Sequence, residues 1–128
     1  MRFFFHKHAE TEFDRYMVRK MEGKLKESDW KTFRSMVPEL RERYLTEKNK
    51  EIVAIFMDEG RTPTERFWDA RKRIEKERKI LENCLDGHSR SGMKWYLYLM
   101  YRHGMLSDLD LENFTEDLRN DIKQALNI

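Results

Sequence analysis

Disulfide-forming residues, helix breakers and long apolar runs are all scarce in this chain. A single cysteine, Cys84, among 128 residues rules out an intrachain disulfide and offers no Cys/His zinc pattern, so a reduced, buried thiol is expected. The N-terminal MRFFFHKHAE has three consecutive apolar residues before His6 and Lys7, too few for a secretory h-region. The longest apolar stretches, 52–57 and 95–101, fall far below the roughly 18 residues that read as a membrane span. These shortages predict a cytoplasmic chain that makes no use of a membrane. Excess charge of one sign is lacking too, with 26 basic and 24 acidic residues and a net charge of +2. Such balance suits solvated helix faces better than a dedicated polyanion binder.

Only two prolines and five glycines are present, and their positions carry the organisation. Pro38 and Pro63 each stand before a run of helix formers, at the one helical position where a missing N–H costs nothing. Gly60, Gly87 and Gly104 each close such a run. The expected fold is therefore all-α: a single compact domain of about six helices over 1–128, with residues 1–10 as an N-terminal arm. The first helix is placed at 11–26, with Phe13, Met17, Met21 and Leu25 as its apolar stripe. Ser28 is read as the N-cap of a short helix burying Trp30, Phe33 and Val37, and Pro38 as the start of another reaching to 58. Thr62-Pro63-Thr64-Glu65 is a capping box on a proline start. The helix it opens carries Phe67, Ala70, Ile74, Glu77, Leu81 and Cys84 at 3,4 spacing. A short connection around Gly60 folds the helices before and after it into a central antiparallel hairpin. In that hairpin Glu77, a carboxylate on an apolar seam, is expected beside Lys48 or Tyr44. Residues 93–103 are apolar nearly all round, which marks a buried helix. Ser107 with Asp110 caps a short turn, and Phe114, Leu118, Ile122 and Leu126 form a last amphipathic helix. Short apolar runs suit either regular state, so the alternative is an α+β chain with strands at 2–7, 51–57 or 95–101.

The densest polar cluster is the loop 87–94. His88, Ser89, Arg90, Ser91 and Lys94 gather ahead of a helix start, where free N–H groups and the macrodipole favour an anion. The plainer reading is a polar turn with one serine acting as a cap. Gly87 and Gly92 bracket a phosphate-loop spacing, but Met93 precedes Lys94 and no hydroxyl follows it. The G-x-S-x-G elbow fails at Ser91. No nucleophile, base or acid pair stands out, so the chain reads as a non-enzyme with no catalytic residue and no cofactor. His6 and His8 lack a third ligand at defined spacing, and no metal site is expected.

Charge is unevenly spread. Residues 61–102 hold 11 basic and 6 acidic side chains, and 103–128 hold 2 and 6. Arg71 and Arg78 share a helical azimuth beside Phe67 and Ile74, which makes them candidates for gripping phosphates or a partner's carboxylates. The other basic residues of 61–79 spread around the helix, so nucleic-acid binding is expected to be weak. Eight methionines and sixteen aromatic residues exceed what a core of this size needs. The leading functional reading is a small helical protein that binds another protein as a regulator, adaptor or inhibitor, with homo-oligomerisation left open. The alternative is a nucleic-acid-binding regulator using 61–102. A third reading is an anion- or nucleotide-sensing protein or enzyme using 87–94.

Overall fold

The computed structural model describes residues 11–21 and 25–127. Among them are six helices and no strand: α1 (Glu12–Met21), α2 (Glu27–Phe56), α3 (Pro63–Leu85), α4 (Met93–Arg102), α5 (Asp108–Leu111) and α6 (Glu116–Leu126). The described residues thus form an all-α single domain. The strand alternatives at 51–57 and 95–101 give way to the last turns of α2 and to the body of α4. The third, at 2–7, lies outside the described residues, as do the proposed arm and His6 and His8.

α4 is the axis of the core. Trp95, Tyr96, Leu97, Tyr98, Leu99 and Met100 are all buried, which is why no polar stripe interrupts this stretch. α1, α3 and α6 pack around it. α4 ends where Gly104 turns left-handed at φ 77°. The Met105 N–H then reaches the Met100 carbonyl at 2.8 Å and the Gly104 N–H reaches Tyr101 at 3.2 Å. This is a Schellman stop, and it needs a residue that tolerates positive φ.

Asp29, buried in the first turn of α2, accepts from the Thr115 N–H at 3.0 Å and from its hydroxyl at 2.7 Å. The start of α6 is thereby fastened to α2 by a long-range bond, and Thr115 does not cap its own helix.

α2 departs from expectation in two ways. Its N-cap is Lys26 with no side-chain cap bond, so Ser28 lies inside the helix, and residues 25–26 are not helical, which ends α1 earlier than predicted. It then runs unbroken through Pro38. A proline there removes the bond to the Arg34 carbonyl and costs about 3 kcal/mol relative to alanine. Packing outweighs that cost, because Trp30, Phe33, Leu40 and Tyr44 are buried on both sides of the proline. Their 3,4 spacing continues across it, so breaking the helix would forfeit half of this burial. Pro38 itself is exposed. Pro38→Ala is therefore expected to raise the unfolding free energy by about 1–2 kcal/mol, the gain reduced by the greater freedom of the unfolded alanine chain. A urea midpoint unchanged or lowered relative to wild type would contradict this.

Candidate functional site

α2 and α3 form the expected antiparallel hairpin, joined by residues 57–62. α3 opens on the capping box foreseen from the sequence: Thr62 Oγ1 accepts from the Glu65 N–H at 3.1 Å, and Glu65 Oε1 from the Thr62 N–H at 3.0 Å. Gly60 closes the turn without positive φ, accepting no strain and donating its N–H to Asp58 Oδ1 at 3.0 Å.

The register is fixed by polar pins. The Tyr44 hydroxyl donates to Glu77 Oε1 at 2.5 Å, and Arg73 Nε to Glu77 Oε2 at 3.0 Å. Arg73 also pairs with Glu51 across the seam, and Lys48 lies 5.2 Å from the centre of the Tyr44 ring. Glu77 therefore sits where the sequence reading put it. Burial pushes its carboxyl up, but the Tyr44 hydroxyl, Arg73 and Lys48 outweigh burial and leave it below the usual carboxylate range. Nearer the turn, Arg66 Nη1 donates to the Phe56 carbonyl at 3.2 Å, satisfying the C-terminal end of α2.

Beyond these pins the hairpin leaves the core. No residue of α2 after Tyr44 is buried, and none of α3 before Ala70. From Tyr44 to Phe56 the helix extends about 18 Å. Along this arm Val53, Phe56, Met57, Phe67, Trp68 and Ile74 are exposed, Met57 at 70% and Trp68 at 56%. Phe67 and Ile74 were expected on the α3 seam. They rotate out of it because the seam between two helices is narrow and, among the described residues, no third element covers this end. Placed at about 100° per residue from the seam, Ile52 and Phe56 turn to the same side of the hairpin as Phe67 and Ile74. The Phe67 and Trp68 rings meet edge to face at 5.0 Å and 87°, which joins that side to the outer face of α3.

Arg71 and Arg78 are not brought together as a grip. Arg78 pairs with Glu75 at 2.6 Å and with Glu82, whereas the Arg71 guanidinium lies 5.9 Å from the Trp68 ring centre.

The loop 87–94 is built into the fold. Gly87 turns left-handed at φ 76°, and its carbonyl accepts from the Tyr96 hydroxyl at 3.1 Å. His88 lies between the Phe33 and Tyr96 rings, at 4.8 and 4.7 Å. Its Nε2 meets the Cys84 carbonyl at 2.7 Å, which places the proton on Nε2. Burial holds the imidazole below its ordinary value and pushes the Cys84 thiol up to about 12. Ser89 Oγ accepts from the Gly92 N–H at 3.2 Å. Arg90 forms two 3.1 Å bonds to Glu27 and lies 5.4 Å from the Trp30 ring centre. Lys94 pairs with Asp121 at 3.1 Å, and Ser91 is exposed. His88, Ser89, Arg90 and Lys94 thus point to different partners, and both cations already have carboxylates. Among the described residues, no group of three or more His, Cys, Asp or Glu side chains is placed to hold a metal ion. No described helix is long and apolar enough to cross a membrane.

Trp68 carries no role in the sequence pattern, and Lys72, Lys76 and Lys79 count there only among basic residues spread around the helix, yet with Arg71 and Glu75 they line a shallow hollow on the outer face of α3. Their signal was present as an i, i+4, i+8, i+11 series. The chain matches no protein-family model, no curated protein and no solved structure.

Proposed function

We propose that this chain acts by binding another protein, as a regulator, adaptor or inhibitor, through the α2–α3 arm. The observation that carries the reading is the apolar surface left uncovered there: Phe56, Phe67, Trp68 and Ile74 with Val53 and Met57. Isolated exposed apolar residues are ordinary, but several large ones gathered on one projecting arm mark an interaction site. Aromatic and methionine side chains supply contact area at interfaces, and a helix pair pinned by Glu77 offers it on a rigid support. The loop 87–94 favours no ligand, since its cations are paired within the fold.

The test is affinity capture from a host lysate with the immobilised wild-type chain and with a Phe56→Ser/Phe67→Ser variant. At least one protein should be retained by the wild type and lost with the variant, while circular dichroism and the thermal midpoint of the two chains stay alike. Retention of no protein, or of the same proteins by both chains, defeats the reading.

A further inference from the structure

The surplus of positive charge on α3 is more concentrated than its sequence suggests. Eight basic residues lie between 61 and 79, and the fold engages four of them. Arg61 pairs with Asp69 at 3.0 Å and with Glu65 at 3.7 Å. Arg66 is spent on the carbonyls of Arg61 and Phe56. Arg73 holds Glu51 and Glu77, and Arg78 holds Glu75 and Glu82. Arg71, Lys72, Lys76 and Lys79 remain. All four are exposed, and among the described residues none forms an ion pair. They surround Trp68 in one hollow, whose only carboxylate, Glu75, is held by Arg78.

Building on the protein-binding reading above, we infer that this face docks an acidic amphipathic helix from another protein. Its aliphatic side chains rest on Trp68 and Phe67, and its carboxylates meet Arg71, Lys72, Lys76 and Lys79. Charge complementarity names the partner's sign. The Trp68 ring among the cations names the rest of its chemistry. Lys72 and Lys76 are one helical turn apart, the spacing at which a facing helix repeats its own Glu or Asp. A nucleic acid fits less well. Lys72 to Lys79 spans about 10 Å along the helix axis, whereas polyanion binding draws on many phosphate contacts, about 6–10 in strongly salt-dependent cases. A second copy brought face to face would oppose like charges.

The probe is a labelled 20-residue peptide with leucines at i, i+4 and i+7 and glutamates on either side of them. Its binding to the full chain is followed by fluorescence anisotropy across a salt series. Polyglutamate, random single-stranded RNA and random duplex DNA serve as competing probes, and light scattering reports self-association. The peptide should bind, and rising salt should weaken it. Trp68→Ala and Lys72→Glu/Lys76→Glu should each weaken it about ten-fold or more, and polyglutamate should bind at least about ten-fold less tightly than the peptide. Both variants change exposed side chains, and an unchanged thermal midpoint shows that they remain folded. The inference is overturned by no binding at millimolar peptide, by indifference to both variants, by polyglutamate binding equally well, by RNA or DNA binding tighter than the peptide, or by self-association that the charge reversal abolishes. Capture of a partner that depends on Phe56 and Phe67, together with failure of the acidic peptide, would leave the protein-binding reading standing and this inference refuted.

Discussion

Glu77→Ala should lower the unfolding free energy by about 3 kcal/mol, the low end of what removing one member of a buried charged network costs. The low end applies because Arg73 retains Glu51 as a partner. The greater part of the loss comes from the Tyr44 hydroxyl, which is left buried without its acceptor. For a domain of this size that corresponds to a drop in thermal midpoint on the order of 10 °C. Glu77→Gln keeps an acceptor for Tyr44 and should cost about half as much. Linkage supplies a second signature. The native carboxyl is held below its ordinary value, so its contribution is present at neutral pH and is lost as the pH falls through the folded value. Wild-type stability should therefore decline from about pH 5 downward more steeply than that of Glu77→Gln, since 4.5 is the ordinary value. Urea titrations at several pH values measure both effects. A loss under about 1 kcal/mol for Glu77→Ala, against the expected size of such effects, would mean that Glu77 does not hold the arm together.

Much of this fold is legible in local signals. The capping boxes at Thr62 and Ser107, the stop at Gly104 and the near-continuous apolar character of α4 act over three to ten residues, and the structure repeats them. The same holds for Glu77, because a carboxylate on an apolar stripe must find a partner and the hairpin leaves few choices. Pro38 was misread because a local rule met a non-local gain. Nothing within a turn of it shows that Phe33 and Leu40 will share one core, although their uninterrupted spacing carried the hint. Phe67 and Ile74 failed for the opposite reason. Their periodicity is correct, but periodicity does not say how far the core extends along a helix.

The candidate surface was harder to see, since it consists of what is left after internal pairing. Counting eight basic residues around α3 suggested dispersed charge. Only once Arg73 reaches Glu51, 22 positions away in sequence, and Arg66 reaches Phe56 does the unspent charge fall beside Trp68. Arg78 could have been struck out earlier, since Glu75 and Glu82 flank it at i−3 and i+4. At the loop 87–94 internal pairing works the other way. Its polar density reflected pairing with Glu27 and Asp121, which lie 63 and 27 residues away.

Phe33→Ala should show that His88 belongs to the core. Phe33 is fully buried, stacked near Trp30 at 5.8 Å and against the His88 imidazole at 4.8 Å. Its truncation is expected to cost about 3–5 kcal/mol, as transfer and cavity losses add. The conservative Phe33→Leu should cost less than about 1.5 kcal/mol. Opening the cavity also relieves the burial that holds His88 down, so in an NMR titration the imidazole should move up toward its ordinary value. The sign follows from linkage. His88 stays neutral in the fold below the pH at which the unfolded chain protonates it, so its contribution is complete above the ordinary value of 6.5 and is lost as the pH falls below it. Wild-type stability should thus decrease between pH 7.5 and 5.5, with His103, also lowered by burial, adding in the same direction. In Phe33→Ala the decrease should be shallower by the share of His88, while that of His103 persists. An unmoved His88 titration in a folded Phe33→Ala variant would show that the ring does not shield it. A His88 that already titrates at its ordinary value in the wild type would reopen the anion-binding reading of the loop 87–94.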